Sequence, residues 1–176
     1  ALKGANVLMI DLDLRKATLG KANEKDHRGV AAYLNGKVAD YHESIDVLSE
    51  NLSLLPVGKL PPNPTELLLT ERFRSMIDSL RKEYDYIFID CPPIDVVADA
   101  AIITKVVDMT VFVMRAGLMD KRVLPVIEDL YKSKKYKHMT MILNCVDLQY
   151  KKYGYGRSKY GYVYGYGYGN ENDKKE

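Results

Sequence analysis

Two aspartates, two residues apart at the end of an apolar run, have the types and spacing to do chemistry. Leu8-Met9-Ile10 leads into Asp11-Leu12-Asp13-Leu14-Arg15. Residues two apart on an extended chain point the same way, so Asp11 and Asp13 are expected to converge where a strand leaves its sheet. Two close carboxylates repel; one takes up a proton, or a cation sits between them. A second run, Tyr86-Ile87-Phe88-Ile89, ends in Asp90 just before Cys91-Pro92-Pro93. The prolines end ladder pairing. An aspartate at that exit suits the water shell of magnesium, which keeps several waters and uses few protein carboxylates. Parallel sheets bind ligands in the crevice at the carboxyl ends of their strands. Three carboxylates at two such ends, Asp11, Asp13 and Asp90, point to a metal–nucleotide site. Asp-x-Asp after a strand is also the mark of a turn with a helix cap, and Asp90 alone also reads as a turn residue.

Five short apolar runs must carry these groups: residues 7–10, 52–55, 86–89, 110–114 and 139–143. Several are apolar at nearly every position, the pattern of strands covered on both faces. Residues 71–84 place Phe73, Met76, Ile77, Leu80 and Tyr84 on one helix face, with Thr70 as the N-cap. Residues 98–107 and 121–134 read as two further helices, Pro125 lying in or near the first turn of the latter, where a missing N–H is tolerated. Residues 40–49 and 58–64 read as connections. Strands alternating with helices predict an α/β fold with a mostly parallel sheet.

A chain of 176 residues suits one domain, and its net charge of +2 argues for neither nucleic acid nor a membrane surface. Cys91 and Cys145 make neither a metal spacing nor a secreted disulfide framework, which fits a reducing cytoplasm. No apolar run approaches the roughly 20 residues that span a bilayer. The sequence opens on Ala1-Leu2-Lys3 without an initiator methionine, so it is expected to be a piece of something longer.

The pattern stops at Tyr150. Eight of the 14 tyrosines follow: Tyr150, Tyr153, Tyr155, Tyr160, Tyr162, Tyr164, Tyr166 and Tyr168. Six of the 12 glycines lie among or directly after them. No packed core asks for that, because glycine buries no side chain and loses the most backbone freedom on ordering. Residues 150–176 therefore read as a flexible tail and residues 1–149 as the folded domain. Phenols offered one after another are candidate phosphorylation sites, so the domain itself is a candidate kinase.

These motifs in this order resemble the cytoplasmic catalytic domain of the bacterial tyrosine kinases that regulate capsule and exopolysaccharide synthesis. Leu8-Met9-Ile10-Asp11-Leu12-Asp13-Leu14-Arg15-Lys16 is similar to the family's Walker A′ motif, and Ile87-Phe88-Ile89-Asp90-Cys91-Pro92-Pro93 to its Walker B motif, with Cys91 where Thr or Ser is usual. Leu60-Pro61-Pro62-Asn63-Pro64-Thr65-Glu66-Leu67-Leu68 resembles a further signature, followed by Arg72-Phe73. Val113-Met114-Arg115-Ala116-Gly117 and Ile142-Leu143-Asn144 fit the pattern, and the Tyr-rich end is its most distinctive trait.

The resemblance covers almost the whole chain. It implies a three-layer, P-loop NTPase-like α/β fold of the deviant Walker A class, acting with ATP and Mg2+. On this resemblance Asp11 or Asp13 orients or deprotonates the tyrosine, Asp11 helps hold magnesium, and Asp90 binds it through water. Asn144 either hydrogen-bonds adenine or is a turn residue. Arg15 pairs with phosphates or with a neighbouring carboxylate, and Cys91 is a small packing residue. Implied partners are the tyrosine tail in trans, a ring-like homo-oligomer and a membrane activator, fused or separate, at the inner face of the cell membrane.

One part of the pattern is missing. No Gly-Lys-Ser or Gly-Lys-Thr occurs, and Gly36-Lys37-Val38 and Gly58-Lys59-Leu60 lack the hydroxyl. The backbone N–H groups and lysine of such a loop hold the β- and γ-phosphates. The resemblance places the loop and its strand upstream of Ala1, so the chain is expected to be an N-terminally truncated fragment, inactive by itself. Its lost strand would leave two ladders unpaired, or force the strands at 86–89 and 110–114 together. Two other classes compete with the kinase. One is a non-kinase ATPase of the partitioning and septum-positioning type. The other is a degenerate domain that only displays tyrosines.

Overall fold

The computed structural model describes residues 1–17, 19, 28–93 and 99–146. Strand β1 (Val7–Asp11) lies between β3 (Leu52–Leu55) and β4 (Tyr86–Asp90), parallel to both. β2 (Asp46–Ser49) runs antiparallel to β3 on the outer edge, completing a four-stranded sheet in the order β2-β3-β1-β4. β5 (Val111–Arg115) and β6 (Thr140–Asn144) form a second, parallel pair. The tyrosine tail and Ala98 lie outside the described residues.

The core sits where pattern and helix face agree. Leu8 and Ile10 of β1 and Leu55 of β3 are buried against Phe73, Met76, Ile77 and Leu80 of α3 (Glu71–Leu80). The Thr70 hydroxyl accepts the Phe73 N–H at 3.2 Å, the expected cap. α3 stops at Leu80, short of the predicted Tyr84. The chain turns there because the Asp85 and Tyr86 N–H groups both bond the Asn6 carbonyl, which starts β4. α4 (Asp99–Ile103) and α5 (Leu124–Lys132) are shorter than their patterns. A 3₁₀ turn at Lys121–Val123 precedes α5, and Pro125 lies in its first turn as expected.

Four short elements replace the predicted connections or go unsignalled. Residues 40–49 contain a 3₁₀ turn, Tyr41–Ser44, and β2. All four residues of β2 are exposed; an edge strand with no buried face carries no apolar alternation to read. α1 (Val30–Leu34) buries Val30, Ala31, Ala32 and Leu34. α2 (Pro64–Leu68) opens on Pro64 at a position where the missing N–H costs nothing.

β4 and β5 share no ladder, so the sheet is interrupted rather than closed up. Of the two arrangements foreseen, β4 paired with β5 or the two left without a shared ladder, the structure has the second. The expectation that these strands are covered on both faces fails for β4, β5 and β6. Tyr86 and Phe88 of β4, Val111 and Val113 of β5, and all of β6 are exposed, Phe88 to 61%. One clasp spans the two halves: the Arg81 guanidinium donates to the Asp108 carboxylate at 2.9 and 3.1 Å and to the Val106 carbonyl at 2.8 Å. Among the described residues no helix is long and apolar enough to cross a membrane.

Gly58, considered above for a phosphate loop, has a packing role instead. At φ 74° it crosses Gly29 (φ 131°), and an added Cβ would strike the Arg28 carbonyl oxygen. Left-handed strain and overpacking each cost about 1–3 kcal/mol. Gly58→Ala is therefore expected to lose on the order of 2–6 kcal/mol in urea denaturation. Gly117→Ala, also at positive φ (75°) but with open space around it, should lose only the strain part. Equal losses in the two variants would remove the packing argument.

The 3₁₀ turn carries a titrating group. His42 Nδ1 lies 2.6 Å from Asp40 Oδ1, and Nε2 lies 2.9 Å from Glu83 Oε2. Hydrogen bonds to Glu83, then to Asp40, favour the imidazolium and raise the His42 pKa. A raised folded-state value means the stabilisation is complete below the ordinary value of about 6.5 and is lost as pH rises through the folded one. The side chain is half-exposed, so solvent screening holds the effect below about 1 kcal/mol. The stability difference between wild type and His42→Gln should therefore be full below about pH 6.5 and shrink as the pH rises above it. A difference constant with pH would show that charge is not involved.

Candidate functional site

β1 passes through the core and delivers Asp11 at its end, fully buried (0% exposed). Asp11 and Asp90 are register partners on the adjacent parallel strands, so both carboxylates stand at the same sheet end and on the same face. The Leu12 N–H donates to the Asp90 carbonyl at 2.9 Å and ties the two exits together. Beyond β1 the chain folds into nested turns. Asp11 Oδ1 accepts the Asp13 N–H at 3.1 Å, and its Oδ2 accepts the Leu19 N–H at 3.0 Å. Asp13 Oδ1 accepts the N–H groups of Arg15 and Lys16 at 3.2 and 2.9 Å. Such donors offset the cost of burying carboxylates. The turn part of the Asp-x-Asp reading is thus realised beside whatever else the pair does.

The expected trio does not form a direct ligand set. Among the described residues, no three His, Cys, Asp or Glu side chains are grouped to hold a metal ion. The pair Asp11 and Asp90 still fits magnesium, which asks for one or two carboxylates and keeps its waters. Negative charge is dense here. Burial, then the charges of Asp90, Asp13 and Asp99, pushes the Cys91 thiol up to about 12. Cys91 therefore stays protonated at neutral pH and packs, as expected, rather than acting as a nucleophile.

The model described as "AAA domain" matches residues 1–140. A tyrosine-protein kinase CpsD of Streptococcus pneumoniae is 38% identical over 157 residues, which cover 88% of this chain and 69% of that protein. The chain belongs to the bacterial tyrosine-protein kinase family. The solved kinase domain of the Escherichia coli tyrosine kinase ETK superposes with a TM-score of 0.71 at 30% identity, covering 95% of this chain and 63% of that one. A septum site-determining protein of Pyrococcus horikoshii, solved with Mg-ADP, reaches 0.59 at 22% identity, covering 80% of this chain and 58% of that one, and shares the fold alone. The P-loop NTPase-like α/β fold expected from the motifs is therefore present.

Within this bacterial tyrosine kinase fold the other expected residues take definite places. Asn144 ends β6, paired in register with Arg115, and its side-chain oxygen accepts the Cys145 N–H at 2.8 Å, the turn role. The eight tail tyrosines lie outside the described residues. Arg15 pairs with a carboxylate, Asp99. Asp99 and Thr65 are the residues that sequence reasoning passed over. Asp99, 1% exposed at the start of α4, receives Arg15 Nε at 3.2 Å and the Thr65 hydroxyl at 2.7 Å. The sequence signal for Asp99 was a lone aspartate opening an apolar helix; that for Thr65 was its place in the Leu60–Leu68 run.

Proposed function

We propose that this chain forms part of a protein-tyrosine kinase that transfers the γ-phosphoryl group of ATP to tyrosines of its own tail and so regulates capsule or exopolysaccharide synthesis and export. One observation carries the reading: in a chain of this family, Asp11 and Asp90 emerge side by side at the carboxyl ends of adjacent parallel strands. Phosphoryl transfer asks a protein chiefly for positioning and charge neutralisation. Magnesium held by Asp11, and by Asp90 through water, would neutralise the phosphates. Asp11 or Asp13 orients the incoming phenol, whose pKa near 10 calls for help in losing its proton. Their backbone hydrogen bonds hold both carboxylates in place before any substrate arrives, so little reorganisation is needed during transfer. Asn144 is assigned to adenine only through its side-chain N–H groups, since its oxygen is engaged in the turn. No Gly-Lys-Ser or Gly-Lys-Thr occurs in these 176 residues, so the assay uses a form extended by a phosphate-binding loop.

Tyr150, Tyr153, Tyr155, Tyr160, Tyr162, Tyr164, Tyr166 and Tyr168 are the proposed acceptors, reached in trans within a homo-oligomer beside a membrane activator. Each phosphate adds about −1.5 to −2 charge. Repelled by the acidic exits of β1 and β4, a phosphorylated tail would leave the cleft and loosen the assembly. The test incubates a loop-bearing form of the protein with Mg-ATP and maps phosphotyrosine by mass spectrometry. Modification is expected on the tail and lost when its tyrosines become Phe. Phosphotyrosine that arises only after a second kinase is added would leave a display domain in place of an enzyme.

A further inference from the structure

We infer that Arg15, Thr65 and Asp99 form a clamp that positions the aspartate turn, an assignment that rests on the kinase reading of the site. The three side chains close a ring. Arg15 Nε donates to Asp99 Oδ2 at 3.2 Å, Arg15 Nη2 donates to Thr65 Oγ1 at 3.2 Å, and the Thr65 hydroxyl donates to Asp99 Oδ1 at 2.7 Å. They come from three separate segments: the turn after β1, the first turn of α2 and the start of α4. Both Asp99 oxygens are engaged, and its side chain is 2% exposed, so the carboxylate is a fixed post. The guanidinium fork is planar, and its hydrogen-bond directions are set together, which holds the arginine in one orientation.

That orientation is transmitted along the backbone. The Arg15 N–H donates to Asp13 Oδ1, and the Asp13 N–H donates to Asp11 Oδ1. A continuous run of hydrogen bonds thus joins Asp99 and Thr65 to the carboxylates that face the substrate. Arg15 is half-exposed (41%), so in this structure its side chain is spent on the clamp rather than on the core. The pairing also gives Pro64-Thr65 a purpose. The proline opens α2 and places the next residue, whose hydroxyl both accepts and donates in the ring. Arg15, Thr65 and Asp99 are positioning residues, since each acts through the turn.

Thr65→Val keeps the shape and removes the hydroxyl; Thr65→Ser keeps the hydroxyl. Arg15→Lys keeps the charge and loses the fork. In the loop-bearing protein with Mg-ATP, Thr65→Val and Arg15→Lys are expected to lower kcat for tail phosphorylation about tenfold or more, with KM for ATP changed less than about threefold. Thr65→Ser should restore the rate. Amide hydrogen exchange supplies a readout free of catalysis: in Thr65→Val, exchange at Asp13, Arg15 and Lys16 should speed about tenfold, with Ile10 and Leu55 unchanged. Wild-type exchange and wild-type kcat in Thr65→Val would overturn the clamp. So would equal acceleration at Ile10 and Leu55, which would make the hydroxyl merely stabilising. Should wild type form no phosphotyrosine at all, the kinase reading fails, and exchange alone still decides whether the clamp orders the turn.

Discussion

Asp90→Asn is expected to cut phosphotyrosine formation at least about 100-fold while leaving the fold intact, and Asp11→Asn should do the same to the rate. Removing one pre-aimed electrostatic group from an active site commonly costs about 10²–10³ in rate. The two positions differ in their structural burden, which makes the comparison informative. Asp90 is partly exposed at the end of β4, so its amide variant should melt close to wild type. Asp11 is buried and accepts the N–H groups of Asp13 and Leu19. An asparagine carbonyl replaces only one of those acceptors, and a buried donor left unpaired costs about 1–3 kcal/mol. Asp11→Asn should therefore lose stability as well as rate. The assay is phosphotyrosine yield against time in a loop-bearing form, beside thermal melts. Rates within a few-fold of wild type in Asp90→Asn would remove this carboxylate from the mechanism and with it the proposed magnesium pair.

Supplying one parallel strand between β4 and β5 is expected to stabilise the protein by several kcal/mol. Among the described residues, β4 ladders only with β1, and β5 only with β6. A strand inserted there would make hydrogen bonds on both its sides, each worth about 1 kcal/mol net. Tyr86, Phe88, Val111 and Val113, all exposed at the gap, would gain cover from a following helix at roughly 25 cal/mol per Å² of apolar surface buried. Exposed, flat strand edges also invite pairing between chains. The 176 residues alone are thus expected to melt early and to aggregate. A version extended ahead of Ala1 by a strand, a glycine-rich loop and a helix should unfold in one cooperative step at higher urea. A sharp, reversible melt of the 176-residue chain matching that of the extended form would show that the gap carries no such deficit.

Much of the site is legible in the sequence because its signals are local. An apolar run followed by aspartate and then by prolines places Asp90 at a strand exit, and the helix face of α3 announces its own core. The same local logic failed where burial did not shape the pattern. β2 is exposed at all four residues; α1 is buried, but at five residues with no side-chain cap it is too short to show a helical period. The notion of three carboxylates around one ion also came from local geometry. Asp13 lies beyond the end of β1 and accepts the N–H groups of Arg15 and Lys16.

The amino-acid pattern alone determined the strand–helix alternation, the acidic strand exits and the packing role of Cys91, since side-chain polarity along a short stretch records which face is buried. Only the tertiary structure decided that Asp11 stands opposite Asp90, that β4 and β5 remain apart, and that Arg15 closes on a residue 84 positions away. Register and closure are contacts between distant segments. They follow from how whole elements pack against one another, and no window of sequence contains both partners.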